Sequence, residues 1–223
     1  SKSKYIGDVV SMFDERLYKR WDKLSQALKT NKPIEEKQVA DIESLFDKAK
    51  SNQEVEQVQK FTHAMYGISI GPAMALAKNV DFSNHKKMMD IGGGSGVYAI
   101  QVVANSPNNM SAVVLDSKPV CQVADRYIQQ YDLQDKVQTV TFDFFKDRLP
   151  ENGTIIISEW LLNDEKTGPI PSALMGLTMI VENSGGRGYS YNEILQMLTE
   201  VGFKNIERRP LIEPAEIVIG YKK

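Results

Sequence analysis

Cysteine is almost missing from these 223 residues. The single Cys121 excludes a disulfide within the chain and cannot form a zinc cluster by itself, so a reducing, cytoplasmic setting is expected. Cys121 itself reads as a small hydrophobe packed in a helix. Excess charge is missing too: 27 Lys and Arg stand against 29 acids, a formal net charge of -2. That balance gives no electrostatic reason to expect nucleic acid. No apolar run approaches the length of a membrane span, and Ser1-Lys2-Ser3-Lys4 lacks a signal-peptide core, so no membrane association is expected. Internal repeats, low-complexity tracts and metal-ligand clusters are also lacking, and no metal is expected. The remaining composition, 42% hydrophobic and 25% charged, suits one α/β domain with an appendage.

Against these absences, glycine is concentrated in one place: Asp90-Ile91-Gly92-Gly93-Gly94-Ser95-Gly96. The stretch follows a short apolar run, Met88-Met89, and precedes a helix-like segment, Val97 to Ala104. Strand, glycine turn and helix is a context in which backbone can approach a ligand closely. A dinucleotide fingerprint needs glycine at the sixth place, where Val97 stands. The spacing acid-x-Gly-x-Gly-x-Gly resembles instead the pattern of S-adenosylmethionine (SAM) methyltransferases. A lone motif of this kind would leave an ordinary glycine turn as the alternative. Val113-Val114-Leu115-Asp116 weakens that alternative, because Asp116 ends a second strand where a carboxylate can accept both hydroxyls of a ribose.

Residues 5 to 80 read as helical throughout. Ile6, Val9, Val10, Phe13, Leu17, Trp21, Leu24 and Leu28 recur at helical spacing until Asn31-Lys32-Pro33 stops them. Val39 to Ala49 suggests a second helix and Val55 to Met65 a third, after which Gly71-Pro72 is expected to break the chain before a short helix, Ala73 to Ala77. From Lys87 strands and helices alternate, the pattern of a parallel α/β sheet. Strands are predicted at Lys87–Asp90, Ser111–Asp116, Val137–Phe142 and Thr154–Trp160, with helices at Val97–Ala104 and Val120–Tyr131. An irregular, partly helical stretch then runs to Asn183, followed by a helix from Tyr191 to Val201. Two last strands, Lys204–Leu211 and Ala215–Tyr221, are joined so tightly at Glu213-Pro214 that they must be antiparallel. One connection does not fit: Asp143 to Gly153 offers too few residues, with no helical pattern, for a parallel crossover of a dozen or more. Either the strands are joined unusually, or a strand-helix unit is absent.

With these elements in order, the chain resembles the SAM-dependent O-methyltransferases of the caffeic acid and flavonoid type and their bacterial small-molecule relatives. The resemblance is carried by Asp90 to Gly96, Asp116, Phe142-Asp143-Phe144-Phe145, Ile155-Ile156-Ile157-Ser158-Glu159 and Asn183-Ser184-Gly185-Gly186-Arg187. It implies a Rossmann-like class I methyltransferase sheet, mostly parallel with an antiparallel last strand, behind an N-terminal helical region. Residues 1–80 would be that helical region and 81–223 the SAM-binding domain. The resemblance further implies SAM as cofactor, with Asp90, Gly92, Gly94 and Gly96 at the methionine and ribose portion and Asp116 on the ribose. Asp143 would accept from the adenine amino group with Phe144 on the ring, and Ser69 would meet the methionine carboxylate. A turn-capping acid and core aromatics are the plain alternatives for Asp143 and Phe144. Phe61, Met65, Met179 and Asn183 match positions that hold the methyl acceptor; core packing is an equal reading for them.

The departures matter as much. The chain starts just after the winged-helix dimerisation domain that the resemblance implies, leaving a homodimer to form through the remaining apolar face of Val9, Phe13, Leu17 and Trp21. The strand-helix unit that would carry a general-base histidine is also not found. Of the two histidines, His63 borders the expected acceptor side and His85 reads as a solvated loop residue. Glu159 matches an acid that orients the missing histidine, so Glu159 and His63 are the candidate catalytic residues. The function implied is methyl transfer from SAM to a hydroxyl of a small, aromatic acceptor. The alternative is a SAM-binding protein that does not transfer methyl groups, because its base-bearing segment is missing; a nicotinamide enzyme is disfavoured by Val97.

Overall fold

The computed structural model describes residues 6–34, 52–141 and 153–222. In chain order the elements are α1 (Gly7–Met12), a π-helical turn over Phe13–Leu17, α2 (Tyr18–Trp21), α3 (Leu24–Thr30), α4 (Asn52–Asn79), β1 (Lys87–Ile91), α5 (Val97–Asn105), β2 (Ser111–Asp116), α6 (Lys118–Gln130) and β3 (Val137–Thr141). Then follow β4 (Gly153–Glu159), α7 (Ile170–Glu182), α8 (Tyr191–Glu200), β5 (Lys204–Ile212) and β6 (Ala215–Lys222). These form two compact units, the first containing α1 and α4 through β3, the second α2, α3 and β4 onward.

In the first unit, β1, β2 and β3 pair side by side in parallel. The β-branched pair Val113-Val114 favours the central strand. Ala112 and Val114 turn toward Ala99, Ile100 and Val103 of α5 and Ala124 and Ile128 of α6, forming a core with Val137. Side chains buried as fully as Val114 contribute about 1.5–3 kcal/mol each. Cys121 is buried in α6, as a small hydrophobe would be. Helix α4 covers α5 through Ile70, Ala73 and Val97.

The expected break at Gly71-Pro72 does not occur: α4 is one helix of 28 residues with Pro72 inside it. Proline removes one intrahelical hydrogen bond and crowds the preceding turn. Ile70 and Ala73, on either side of Pro72, are both held in the same core cluster, so tertiary packing overrides the local signal. Ser69 consequently lies well inside the helix rather than near its end. The second helix expected from Val39 to Ala49 lies outside the described residues, as does Phe142.

In the second unit, β6 lies between β4 and β5 and is antiparallel to both. The turn at Glu213-Pro214 returns the chain as its shortness requires, with Ile212 opposite Ala215. Leu161, Ile194, Leu198 and Val218 form the core. Helix α8 begins with a capping box: the Glu193 amide donates to Ser190 Oγ, and the Ser190 amide donates to Glu193 Oε2 at 2.8 Å. The helical part of the stretch expected to be irregular and partly helical up to Asn183 is α7. The structure thus holds a parallel sheet, an antiparallel sheet and N-terminal helices. The single mostly parallel sheet of the expectation is, among the described residues, two three-stranded sheets.

Candidate functional site

The loop between β1 and α5 is built from the strand end upward. Gly92 and Gly93 donate their amides to the Leu115 carbonyl at 2.8 and 3.4 Å, tying the loop to the end of β2. Gly94 donates to Asp116 Oδ2 at 2.9 Å, and the other oxygen of that carboxylate accepts from the Ser117 amide at 2.7 Å. Each oxygen therefore retains acceptor capacity beyond the loop. Burial pushes the Asp116 carboxyl upward, while the two amide hydrogen bonds pull it back. Gly94 has φ +58°, and a side chain there would meet nothing within 4 Å. Backbone and carboxylate thus border open space, which suits a sugar hydroxyl pair approaching Asp116.

Asp90 has a different surrounding. Its Oδ2 accepts from the Ala99 amide at 3.2 Å, in the first turn of α5. Gly96, the residue capping α5, offers no side chain, so Asp90 supplies the acceptor that an N-cap residue normally provides. A Cβ on Gly93 would stand 2.8 Å from both the Asp90 carboxyl carbon and Val114. Burial pushes the Asp90 carboxyl up to about 6. The described contacts of Asp90 are those of a support beneath the loop.

Along α4, Phe61, Met65 and Ser69 recur every fourth residue and share one stripe. Arg16 sits 5.9 Å over the Phe61 ring. Ser69 adjoins Ile70, which packs on Val97 directly after the glycine loop. His63 is turned elsewhere. Two residues of helix are about 200° of rotation, so His63 and Phe61 lie on nearly opposite sides of α4. His63 Nδ1 is 2.9 Å from Tyr127 Oη of α6, and Tyr127 stacks on Tyr66 at 4.1 Å. Tyr66 in turn bonds Tyr131 at 2.8 Å. Burial lowers the His63 pKa, so the neutral ring is favoured. This His–Tyr cluster had no signal in the sequence, because His63 and Tyr66 lie more than sixty residues before Tyr127 and Tyr131.

His85 is half-buried, its ring set edge-on to Phe82 with the ring centres 6.3 Å apart, rather than solvated. A cavity of about 330 Å³ opens near Lys78, Asp81, Phe82 and Asn105. It lies at the end of α5 away from the glycine loop.

In the second unit, Glu159 closes β4, and its Oε1 accepts from the Trp160 amide at 2.7 Å. Met179 and Asn183 are one turn apart at the C-terminus of α7, where the Asn183 amide donates to the Met179 carbonyl at 2.9 Å. Asn183 Oδ1 is buried and accepts no hydrogen bond among the described residues. The end of this helix is held by Arg20 of α2. Arg20 Nη1 donates to the Val181 carbonyl at 2.9 Å, and its Nε lies 3.7 Å from Glu182 Oε1. Asp143 and Phe144 lie outside the described residues. Among the described residues, no group of three or more His, Cys, Asp or Glu side chains could hold a metal ion, and no helix is long and apolar enough to cross a membrane.

Comparison with known proteins agrees with this architecture. The family described as O-methyltransferase domain matches residues 21–152. A 3-hydroxy-5-methyl-1-naphthoate 3-O-methyltransferase of Streptomyces sahachiroi is 27% identical over 253 aligned positions, covering 98% of this chain and 70% of its own. A tetracenomycin polyketide synthesis 8-O-methyl transferase of Streptomyces glaucescens is 22% identical over 252 positions, covering 99% of this chain and 72% of its own. Among solved structures, human N-acetylserotonin methyltransferase in complex with SAM superposes with a TM-score of 0.85 at 20% identity, over 99% of this chain and 71% of that one. The likeness in fold extends over nearly all of the chain, and the family match over more than half of it. The chain belongs to the SAM-dependent O-methyltransferase family.

Proposed function

We propose that this protein transfers a methyl group from SAM to a hydroxyl of a small aromatic molecule. The observation that carries the reading is the Asp116 carboxylate, which fixes the glycine loop through Gly94 yet keeps acceptor capacity beside open space. The similar Streptomyces enzymes, named for a naphthoate and for a tetracenomycin polyketide, support an aromatic acceptor.

SAM, when bound, supplies the methyl as a sulfonium electrophile. The chain's own residues bind and align. Asp116 holds the ribose, Gly92, Gly94 and Gly96 leave room for backbone approach, and Ser69 meets the methionine carboxylate. Asp90 supports the loop from beneath. Asp143 and Phe144 serve the adenine. By the resemblance, Phe61, Met65, Met179 and Asn183 are the candidate acceptor residues; Asn183 Oδ1, buried and without a hydrogen bond among the described residues, is suited to a polar group of an acceptor. Aligning two reactants contributes much of the rate in such a displacement. Glu159 is the candidate catalytic residue by the resemblance, while His63 is assigned to helix packing against Tyr127. A cytoplasmic setting fits the lone buried cysteine. Residues 1–80 serve as a helical region and 81–223 as the cofactor domain. A homodimer fits the exposed stripe Ile6, Val10 and Phe13.

The test is calorimetric titration with SAM together with methyl transfer from labelled SAM to a panel of phenols, naphthols and catechols. The wild-type chain is expected to bind SAM and to label at least one acceptor, and Asp116→Asn to weaken SAM binding by tenfold or more. Absence of SAM binding in the folded protein would remove the proposal; binding without labelling would favour the SAM-binding alternative.

A further inference from the structure

In the second unit two glycines stand where a methyl group has no room, and both press on α7 and its surroundings. A Cβ on Gly186 would lie 2.2 Å from the Met179 carbonyl oxygen and 3.0 Å from Asn183 Cβ. A Cβ on Gly188 would lie 2.7 Å from Leu162 Cδ1 and 3.6 Å from Gly176 Cα. The segment 183–190 therefore returns along α7 with backbone against backbone. It turns sharply at its start, where the Gly186 amide donates to the Asn183 carbonyl at 3.1 Å and Gly185 takes φ +75°. At its far end the Tyr189 carbonyl accepts from the Leu162 amide at 2.9 Å, and Lys166 Nζ donates to the Gly188 carbonyl at 3.3 Å.

Leu162 completes the contact. It is buried, and it follows shortly after Glu159, the last residue of β4. Its Cδ1 fills the notch that Gly176 and Gly188 leave between them, 3.9 Å from the Cβ position of Gly176. One apolar side chain thus registers the exit of β4 against both α7 and the returning segment. Stability alone does not call for glycine here. Gly176 is a poorer helix former than alanine, and any glycine loses more conformational freedom on folding. Local preference gives way where the resulting geometry has a use. The geometry set here is that of Met179 and Asn183, the two residues on which Gly186 presses.

We propose that Leu162, Gly186 and Gly188 are positioning residues for the methyl acceptor. By holding segment 183–190 against α7 and the exit of β4, they fix where Met179 and Asn183 stand and so set which acceptors fit. The proposal rests on the reading of Met179 and Asn183 as acceptor residues, and the three residues act through that pair. A side chain at position 186 or 188 would lift the segment and carry Asn183 with it.

Variants of the whole chain, carrying methionine labelled with carbon-13 at its methyl group, test it. Gly186→Ala sets a carbon against backbone that cannot yield. Gly188→Ala adds one carbon to the notch and Leu162→Val removes one, so the pair conserves volume. Each alanine variant is expected to move the Met179 methyl resonance and to raise KM for 2-naphthol by about tenfold, with kcat changed less than about threefold. KM for the smaller phenol is expected to rise less, and SAM affinity to stay unchanged. Combining Leu162→Val with Gly188→Ala is expected to restore both the resonance and KM, a coupling that independent losses would not show. A Met179 resonance unmoved in both alanine variants would overturn the proposal, as would a lower thermal midpoint with KM unchanged. If the wild type labels neither acceptor, the methyl-transfer reading is what fails; the Met179 resonance and its restoration still decide whether these residues position α7. Should Gly186→Ala not fold, Gly188→Ala and the paired variant give the same decision.

Discussion

Asp90 and Asp116 are two strand-end carboxylates with different work. Asp90 is buried and bonded to the start of α5, and its folded-state pKa of about 6 stands above the ordinary 3.8. The fold therefore favours the protonated form: its contribution is complete below about pH 4 and is lost as pH rises through 6. Asp90→Asn stays neutral and can still accept from Ala99. Urea midpoints measured from pH 4 to 7 are expected to fall for the wild type, by up to roughly 3 kcal/mol, and to stay flatter for Asp90→Asn. An equal fall in both proteins would show that Asp90 is not the titrating group. The neighbouring glycines separate stability from binding in the same way. Gly93→Ala forces a methyl against Asp90 and Val114 and is expected to cost about 1–3 kcal/mol of stability. Gly94→Ala has room but a left-handed backbone, so a smaller loss of about 1–2 kcal/mol is expected, together with at least tenfold weaker SAM binding. Calorimetry with and without SAM checks both.

Two helices carry costs that substitution can expose. Pro72 deprives α4 of one hydrogen bond while the helix continues to Asn79. Pro72→Ala is expected to stabilise the protein by about 1–3 kcal/mol, read as a higher thermal midpoint. A lower midpoint would show that the proline ring's packing outweighs the missing bond. Helix α7 depends on the buried pair Arg20 and Glu182, 7% and 1% exposed. Glu182→Leu alone removes the carboxylate beside a buried guanidinium and is expected to cost about 3–5 kcal/mol; Arg20→Met with Glu182→Leu is expected to recover most of that. Chemical denaturation of the two single variants and the double variant measures the coupling, and additive losses would refute it.

At the scale of the whole molecule, what could be read from the sequence was local. Ser111–Asp116 is a strand with the expected bounds, the glycine loop joins β1 to α5, and the β5–β6 hairpin closes at Glu213-Pro214. Each depends on residues adjacent in sequence. What was misread depends on distant partners. Pro72 looked like a helix stop because Ile70, Ala73 and Val97 meet only after folding. Helix α7 was legible only as part of an irregular, partly helical stretch, because Gly168-Pro169, Pro171 and Gly176 resemble breakers. Gly176 is small where the Gly188 backbone passes 3.6 Å from where its Cβ would stand. Around the glycine loop, the position of Asp116 at the end of a strand was legible, whereas the contact of Asp90 with the start of α5 and the His63–Tyr127 pairing required the fold. The remaining expectation at this scale is assembly. Ile6, Val10 and Phe13 form one exposed stripe, so Val10→Glu with Phe13→Glu is expected to convert a sedimenting dimer to monomer without lowering its thermal midpoint. A wild-type monomer at high concentration would end that expectation.

The bond between Arg20 and the Val181 carbonyl joins residues 161 positions apart, across the first unit's long segment from Ile42 to Asp147. During synthesis at about 5–20 residues per second, Arg20 emerges from the ribosome roughly 8 to 30 seconds before its acceptor exists. The first unit has its whole sequence available in that interval, while α2 and α3 wait with a guanidinium still in water. The second unit is therefore completed last, and any chain released early is left with a helical arm that has no groove to enter.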